Sequence, residues 1–352
     1  MSECRIAVIG GGVIGQQHLA TIARTADKAK AVALVDPLRA SAATAEKAGL
    51  RWYPDTASLL KDGGFDAAVV ASPNATHVPV ALDLVDAGIP ALVEKPVAET
   101  ARAAIRLAEA AEKKNVPILV GHHRRHNPII QEARSLIAAG RIGKPVVANV
   151  MGAMFKNAGY HDVEWRRQPG SGGPMLINMI HEVDLLRYIF GDITEVVSLA
   201  SSATRNLEVE DSAVASVRFE SGLLANFMVT DAAVSPWAWD LTAGEVPKRF
   251  PALPASAHYY CGTEGSISLP DFHIWSYPGE KSWYEPMTPE KHSVQPEDPF
   301  SVQFKHFLSV VEGNAEPLVT VRDAMQSLAC VEAMLFSAKG KSGPVSPQSM
   351  LT

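Results

Sequence analysis

The stretch Arg5-Ile6-Ala7-Val8-Ile9-Gly10-Gly11-Gly12-Val13-Ile14-Gly15-Gln16-Gln17-His18-Leu19-Ala20 decides the fold. Ile6 to Ile9 is short, wholly apolar and rich in β-branched residues, as a strand buried on both faces of a parallel sheet requires. Gly10, Gly12 and Gly15 follow at once in GxGxxG spacing, and the chain then reads as helix. The first glycine of that pattern permits a tight turn. The second lets a pyrophosphate approach the backbone, and the third lets helix and strand pack closely. Val13 and Ile14 would open the helix, where unpaired N–H groups and the dipole favour negative charge. A second buried run, Val32 to Val35, ends in Asp36 about 20 residues on, where a carboxylate accepts from an adenosine ribose. A 2′-phosphate would meet that carboxylate at close range, so the pattern favours NAD over NADP. Arg39 nearby is the one feature pulling toward NADP.

The chain has 352 residues, enough for two domains, with 20% charged and 47% hydrophobic residues and a net charge of −6. That balance argues against a general binder of nucleic acid or anionic membrane. Cys4, Cys261 and Cys330 are too scattered for a disulfide framework or a cysteine zinc site. The first strand begins within a few residues of Met1 and no apolar run reaches about 18 residues. The expectation is a cytoplasmic protein without a leader or a membrane span.

Strand and helix signals alternate to about His123, the pattern of a doubly wound parallel sheet. Ala67 to Ala71 and Ala91 to Val93 read as buried strands, and Pro128 as the first residue of a helix stopped by Gly140. Beyond Gly140, Val146–Met154, Val196–Ala203 and Ser212–Phe219 read as strands of an antiparallel sheet. In the last of these Ala213, Ala215, Val217 and Phe219 alternate with polar residues, and Glu220-Ser221-Gly222 turns a hairpin. Asn178–Phe190 reads as a helix, and Ala233–Ser256, with Trp237 and Trp239, as a long loop. The fold class is α/β. A dinucleotide-binding Rossmann domain spans 1–123 and a substrate-binding and oligomerisation domain with a large, mostly antiparallel sheet spans 124–340. A tail covers 341–352, and the last helix, near 321–338, is expected to pack back on the first domain.

Ligands of open α/β sheets bind beyond the carboxyl ends of the strands. The glycine loop, Asp36, the Ser72-Pro73-Asn74 turn with His77, and Glu94-Lys95-Pro96 all fall there. Lys95 follows an apolar strand directly. It is either an amine at the mouth of the sheet, with a proton made labile by desolvation, or an exposed lysine before a proline. Asn178, His181 and Asp184 would share one helical face. His181 is either an acid/base residue or a core histidine with Asp184 as its partner. In His122-His123-Arg124-Arg125-His126, His122 and Arg124 are candidates for holding a substrate carboxylate; the alternative is an interdomain salt-bridge cluster. Trp165 and Arg166 face substrate or an interface. No histidine pair with a matched acid at metal-ligand spacing is present, so no metal is expected.

Several of these motifs occur in one order. The GxGxxG with His18 three residues on, Asp36, Pro73-Asn74 with His77, Glu94-Lys95-Pro96, Gly172-Gly173 followed by His181-Glu182-Val183-Asp184, and Gly262-Thr263-Glu264-Gly265-Ser266 resemble the glucose–fructose oxidoreductase / inositol dehydrogenase / MocA family. Glu-Lys-Pro is the most specific of them. The resemblance implies a second domain whose open sheet face makes homodimer or homotetramer contacts. It also implies pyridine-nucleotide-dependent oxidation or reduction of a sugar, inositol or related hydroxy compound. In it Lys95 would assist proton transfer and hold the reacting oxygen, His181 would act as acid/base, and Asn74 and His77 would border the cofactor. One position departs: the aspartate four residues before the histidine is here Ile177. Two rival activities share the pattern, a glycoside hydrolase that recycles tightly held NAD and a non-catalytic sensor of NAD or sugar.

Overall fold

A computed structural model describes residues 3–25, 27–247, 249–340 and 343–352. The chain divides into two compact units, Met1–His123 with Pro299–Leu328, and Arg124–Asp298 with Ala329–Thr352.

In the first unit strands and helices alternate: β1 (Cys4–Ile9), α1 (Val13–Ala23), β2 (Ala29–Val35), α2 (Ala40–Lys47), β3 (Arg51–Tyr53), α3 (Thr56–Asp62), β4 (Ala67–Val70), α4 (Asn74–Asp86), β5 (Ala91–Val93), α5 (Ala101–Lys114) and β6 (Ile118–Val120). The strands form a parallel sheet in the order β3-β2-β1-β4-β5-β6. Ile6–Ile9 and all of β4 and β5 are buried, which is why these strands read as unbroken apolar runs. The order reverses between β1 and β4, and their carboxyl ends open the crevice that such sheets use for ligands. Short backbone bonds pin that edge, from Gly10 N to Val35 O at 2.8 Å and from Ala71 N to Ile9 O at 2.7 Å.

The second unit holds α6 (Pro128–Ala138), β7 (Pro145–Ala153), α7 (Ile180–Phe190), β8 (Ile193–Ser201), β9 (Ser212–Phe219), β10 (Leu224–Thr230), α8 (Trp239–Thr242), β11 (His258–Gly262), β12 (Ser266–Leu269), β13 (His273–Ser276) and β14 (Thr288–Lys291). Its sheet runs β14-β13-β12-β11-β7-β10-β9-β8. Pairing is antiparallel except between β7 and β10, which are parallel. Pro128 opens α6 behind Asn127, whose side chain accepts from Ile129 N, so the proline's missing N–H costs nothing. Ala213, Ala215, Val217 and Phe219 face the core. The opposite face carries exposed Val147, Val197, Leu199, Val214 and Leu224.

Two features differ from the sequence reading. The second domain is not one contiguous stretch. Helix α9 (Pro299–Val311) and α10 (Val321–Ala338) as far as Leu328 group with the first unit. Phe300 stacks on His123 at 4.2 Å between ring centroids and meets His18 edge-on at 5.9 Å, while Val120 N donates to Val319 O at 2.9 Å. Nor is the end of the chain a free tail. Val345 exchanges two 2.9 Å backbone bonds with Val196 of β8, and Pro347–Met350 makes a 3-10 turn. Residues 341 and 342 of that expected tail lie outside the described residues. The segment 233–256 holds the short helix α8, whose Trp239 is wholly buried while Trp237 is exposed; Lys248 lies outside the described residues. No helix among the described residues is long and apolar enough to cross a membrane.

Candidate active site

The glycine turn is shaped for close approach. A Cβ on Gly10, where φ is +107°, would stand 2.5 Å from Ala71 O, and one on Gly15 would stand 1.9 Å from Gly10 O. Only hydrogen fits at either position. A Cβ on Gly12 would meet nothing within 4 Å, so the outer side of the turn is open. Gly12 also begins α1 with no side-chain cap among the described residues, leaving the N–H groups of Val13 and Ile14 to an incoming anion. Asp36 accepts from Gly11 N at 2.8 Å and from Leu38 N at 2.9 Å. These bonds aim the carboxylate, with lone pairs left for two ribose hydroxyls. Arg39 is exposed at the start of α2. The residues present therefore fit a dinucleotide.

The Glu94-Lys95-Pro96 corner at the end of β5 is fastened by two buried histidines. His18 Nε2 lies 2.8 Å from Glu94 Oε1. Burial opposes ionisation of Glu94, but the bond to His18 and the charges of His18, His123 and Lys95 outweigh it and hold the carboxyl below its usual range. His77 spans from Pro96 O to Ser72 O, at 2.8 Å on each ring nitrogen. Lys95 is half-buried between fully enclosed neighbours, and its peptide to Pro96 is cis. Glu94 and His77, expected to touch the cofactor, thus have their polar atoms engaged by protein. The bonds of His77 tie the Pro96 carbonyl to the Ser72 turn, and Asn74 begins α4 just beyond that turn.

In the second unit a π-helical turn, Met175–Met179, precedes α7, so Asn178 sits in that turn rather than in a regular α-helix. Such turns add a residue locally and recur at functional sites. Glu210 Oε1 accepts from Met175 N at 2.9 Å and fastens the entry; burial pushes its carboxyl pKa up. Ile177 and Asn178 are half-buried, and His181 is buried one turn on. Asp184, in the same helix, is bound by Arg125 through both oxygens at 2.6 and 2.8 Å.

Arg124 is corrected as a substrate clamp. It is 3% exposed, and its nitrogens face Glu182 at 2.6 Å, Asp240 at 2.9 Å and Glu245 at 3.6 Å. Burial alone would disfavour its charge, but the carboxylates of Asp240, Glu182 and Glu245 raise its pKa instead. All three partners belong to the same unit as Arg124. His122 is buried at the end of β6. Trp165 is exposed on a 3-10 turn, and Arg166 beside it lies over the ring of Tyr160, 4.1 Å from its centroid. Lys156, absent from every motif, donates to Asn178 Oδ1 at 2.5 Å. Only a contact across sequence-distant elements could have revealed it. Among the described residues no group of His, Cys, Asp and Glu is placed to hold a metal ion.

Residues 4–122 match the oxidoreductase family's NAD-binding Rossmann fold, and residues 134–346 its C-terminal alpha/beta domain. The chain belongs to the GFO/IDH/MocA oxidoreductase family. NAD is therefore the nucleotide its cradle serves. Relatives in this family include the scyllo-inositol 2-dehydrogenase (NAD(+)) of Bacillus subtilis, 27% identical over 93% of this chain and 91% of that protein. Inositol 2-dehydrogenase 2 of Saccharopolyspora erythraea is 32% identical over 63% of this chain and 65% of its own length. The fold is shared with an oxidoreductase from Agrobacterium radiobacter solved with NAD+, L-tartaric acid and magnesium, with a TM-score of 0.83, 20% identity, and coverage of 99% and 100%. It is also shared with the WlbA dehydrogenase from Bordetella pertussis solved with NADH and UDP-GlcNAcA, at TM-score 0.78, 22% identity and 98% coverage of each chain.

Proposed function

We propose that this chain oxidises or reduces a CH–OH carbon of a small polyhydroxylated or hydroxy-carboxylate compound of the sugar, inositol or cyclic diol type. The observation that carries this is the Glu94-Lys95-Pro96 corner, where two buried histidines, His18 and His77, bind the residues on either side of the half-buried Lys95. Polar atoms are seldom buried in such number around a lysine whose position does not matter. Bound NAD supplies the hydride acceptor. Its pyrophosphate would lie against Gly10, Gly12, Val13, Ile14 and Gly15, with its ribose on Asp36. Lys95 holds the carbinol oxygen and stabilises the charge that develops there. His181 takes the O–H proton as the C–H leaves, and returns it in the reverse direction.

Lys95→Ala is expected to lose about 10²–10⁴-fold in turnover while binding NAD as the parent does. The assay is a panel of polyols, sugars and hydroxy acids followed at the NADH absorbance band. Near-normal turnover in Lys95→Ala removes the lysine from the mechanism, and glycoside cleavage without NADH formation would favour the hydrolase reading. The working protein is read as a cytoplasmic homodimer or homotetramer, joined through the face of the second sheet that carries Val147, Val197, Leu199, Val214 and Leu224.

A further inference from the structure

We propose that Lys156, Arg166 and the amide nitrogen of Asn178 form a subsite for a carboxylate on the substrate. The inference deepens the function proposed above and rests on it, since Asn178 matters to substrate because it stands three residues before His181.

Lys156 lies just beyond β7 and is 9% exposed. Its ammonium donates to Asn178 Oδ1 at 2.5 Å and to Tyr160 Oη at 3.3 Å, and stands 4.3 Å from the Tyr160 ring centroid. An ammonium can only donate. It therefore draws the amide oxygen of Asn178 toward itself and turns Nδ2 the other way. Among the described residues nothing accepts from that nitrogen, and Asn178 is half-buried, so the side chain presents donors to a ligand. The charge of Lys156 has turned an ambivalent amide into a donor.

Arg166 brings a second cation to the same ring, at 4.1 Å, and donates through Nη1 to Tyr160 O at 2.9 Å. Its Nε is buried and meets no hydrogen-bond acceptor among the described residues. A buried charged donor in that state is costly and points to an acceptor that arrives with a ligand. The acids nearby are already paired with other cations: Asp231 is bonded by Arg205 Nε at 2.7 Å, and Glu182 and Asp240 by Arg124 at 2.6 and 2.9 Å.

Ile177, half-buried beside Asn178, offers no acceptor. A neutral polyol presents hydroxyl protons that need acceptors, whereas a carboxylate only accepts. A donor set of ammonium, guanidinium and amide suits the second.

The test titrates NADH-loaded full-length protein by calorimetry with two matched pairs, D-glucuronate against D-glucose and D-galacturonate against D-galactose. At least one acid is expected to bind at least about tenfold more tightly than its neutral partner. Lys156→Met should bring that ratio close to unity. Asn178→Asp keeps an acceptor for Lys156 but replaces the outward donor with an oxygen, and should reverse the preference. It carries the test alone if Lys156→Met does not fold. Neutral sugars binding as well as acids, no acid binding, or a preference that survives in the folded variants overturns the subsite. The function itself stands or falls separately, on turnover in Lys95→Ala.

Discussion

His77 shows how much one side chain can be asked to do. Its two ring nitrogens each lie 2.8 Å from a carbonyl oxygen, and a neutral imidazole can donate to only one of them. Burial nevertheless dominates and lowers its pKa; the Pro96 and Ser72 carbonyls and Glu94 favour the cation, and Lys95 opposes it. The unfolded chain therefore takes up a proton near 6.5 before the folded chain does, and stability is lost as pH falls below that value. Between about pH 7.5 and 5.5 the parent should lose stability to denaturant more steeply than His77→Gln does. Equal slopes would mean that His77 does not titrate in this window. Glu94 is shifted in the same direction, but for a carboxyl a lowered pKa favours the charged form, so its contribution is present above 4.5 and fades only in stronger acid.

At the scale of an element, the entry to α7 depends on one contact made by a loop far away in sequence. Gly173 has φ of +85°, and a Cβ there would stand 2.4 Å from Glu210 Oε1, the atom that accepts from Met175 N. Gly173→Ala must strain the backbone and displace the carboxylate that fastens the π-helical turn. A loss of about 1–3 kcal/mol in stability is expected, with turnover falling more than NADH affinity. Denaturation and steady-state kinetics check it; unchanged stability and turnover would show the turn to be held by something else. The glycines of the first turn are a contrasting case. Their spacing announces them, although the backbone that crowds Gly10 is that of Ala71, far along the chain.

For the whole molecule, the open face of the second sheet is the largest question. Leu199 is 70% exposed and pairs across the ladder with Val214, itself exposed, while Val147 and Leu224 pair likewise on the β7–β10 side. Apolar residues gathered in this way on one face ask to be covered. Leu199→Asp with Val214→Asp should lower the sedimenting mass without unfolding the chain. A parent that already sediments as a monomer would rule out assembly through this face.

The parallel sheet of the first domain, the glycine turn that follows its first strand, and the buried runs that end at Asp36 and at Glu94-Lys95-Pro96 were legible in the residues, since each is a local pattern written within a few dozen positions. The return of α9 to the first unit, the pinning of Val345 to β8, and the commitment of Arg124 to Glu182, Asp240 and Glu245 were not. Nor was the pairing of Lys156 with Asn178. Each depends on which partners the chain brings together across long separations. A cation looks the same in sequence whether it waits for a ligand or is buried among carboxylates, and only the folded neighbourhood tells the two apart.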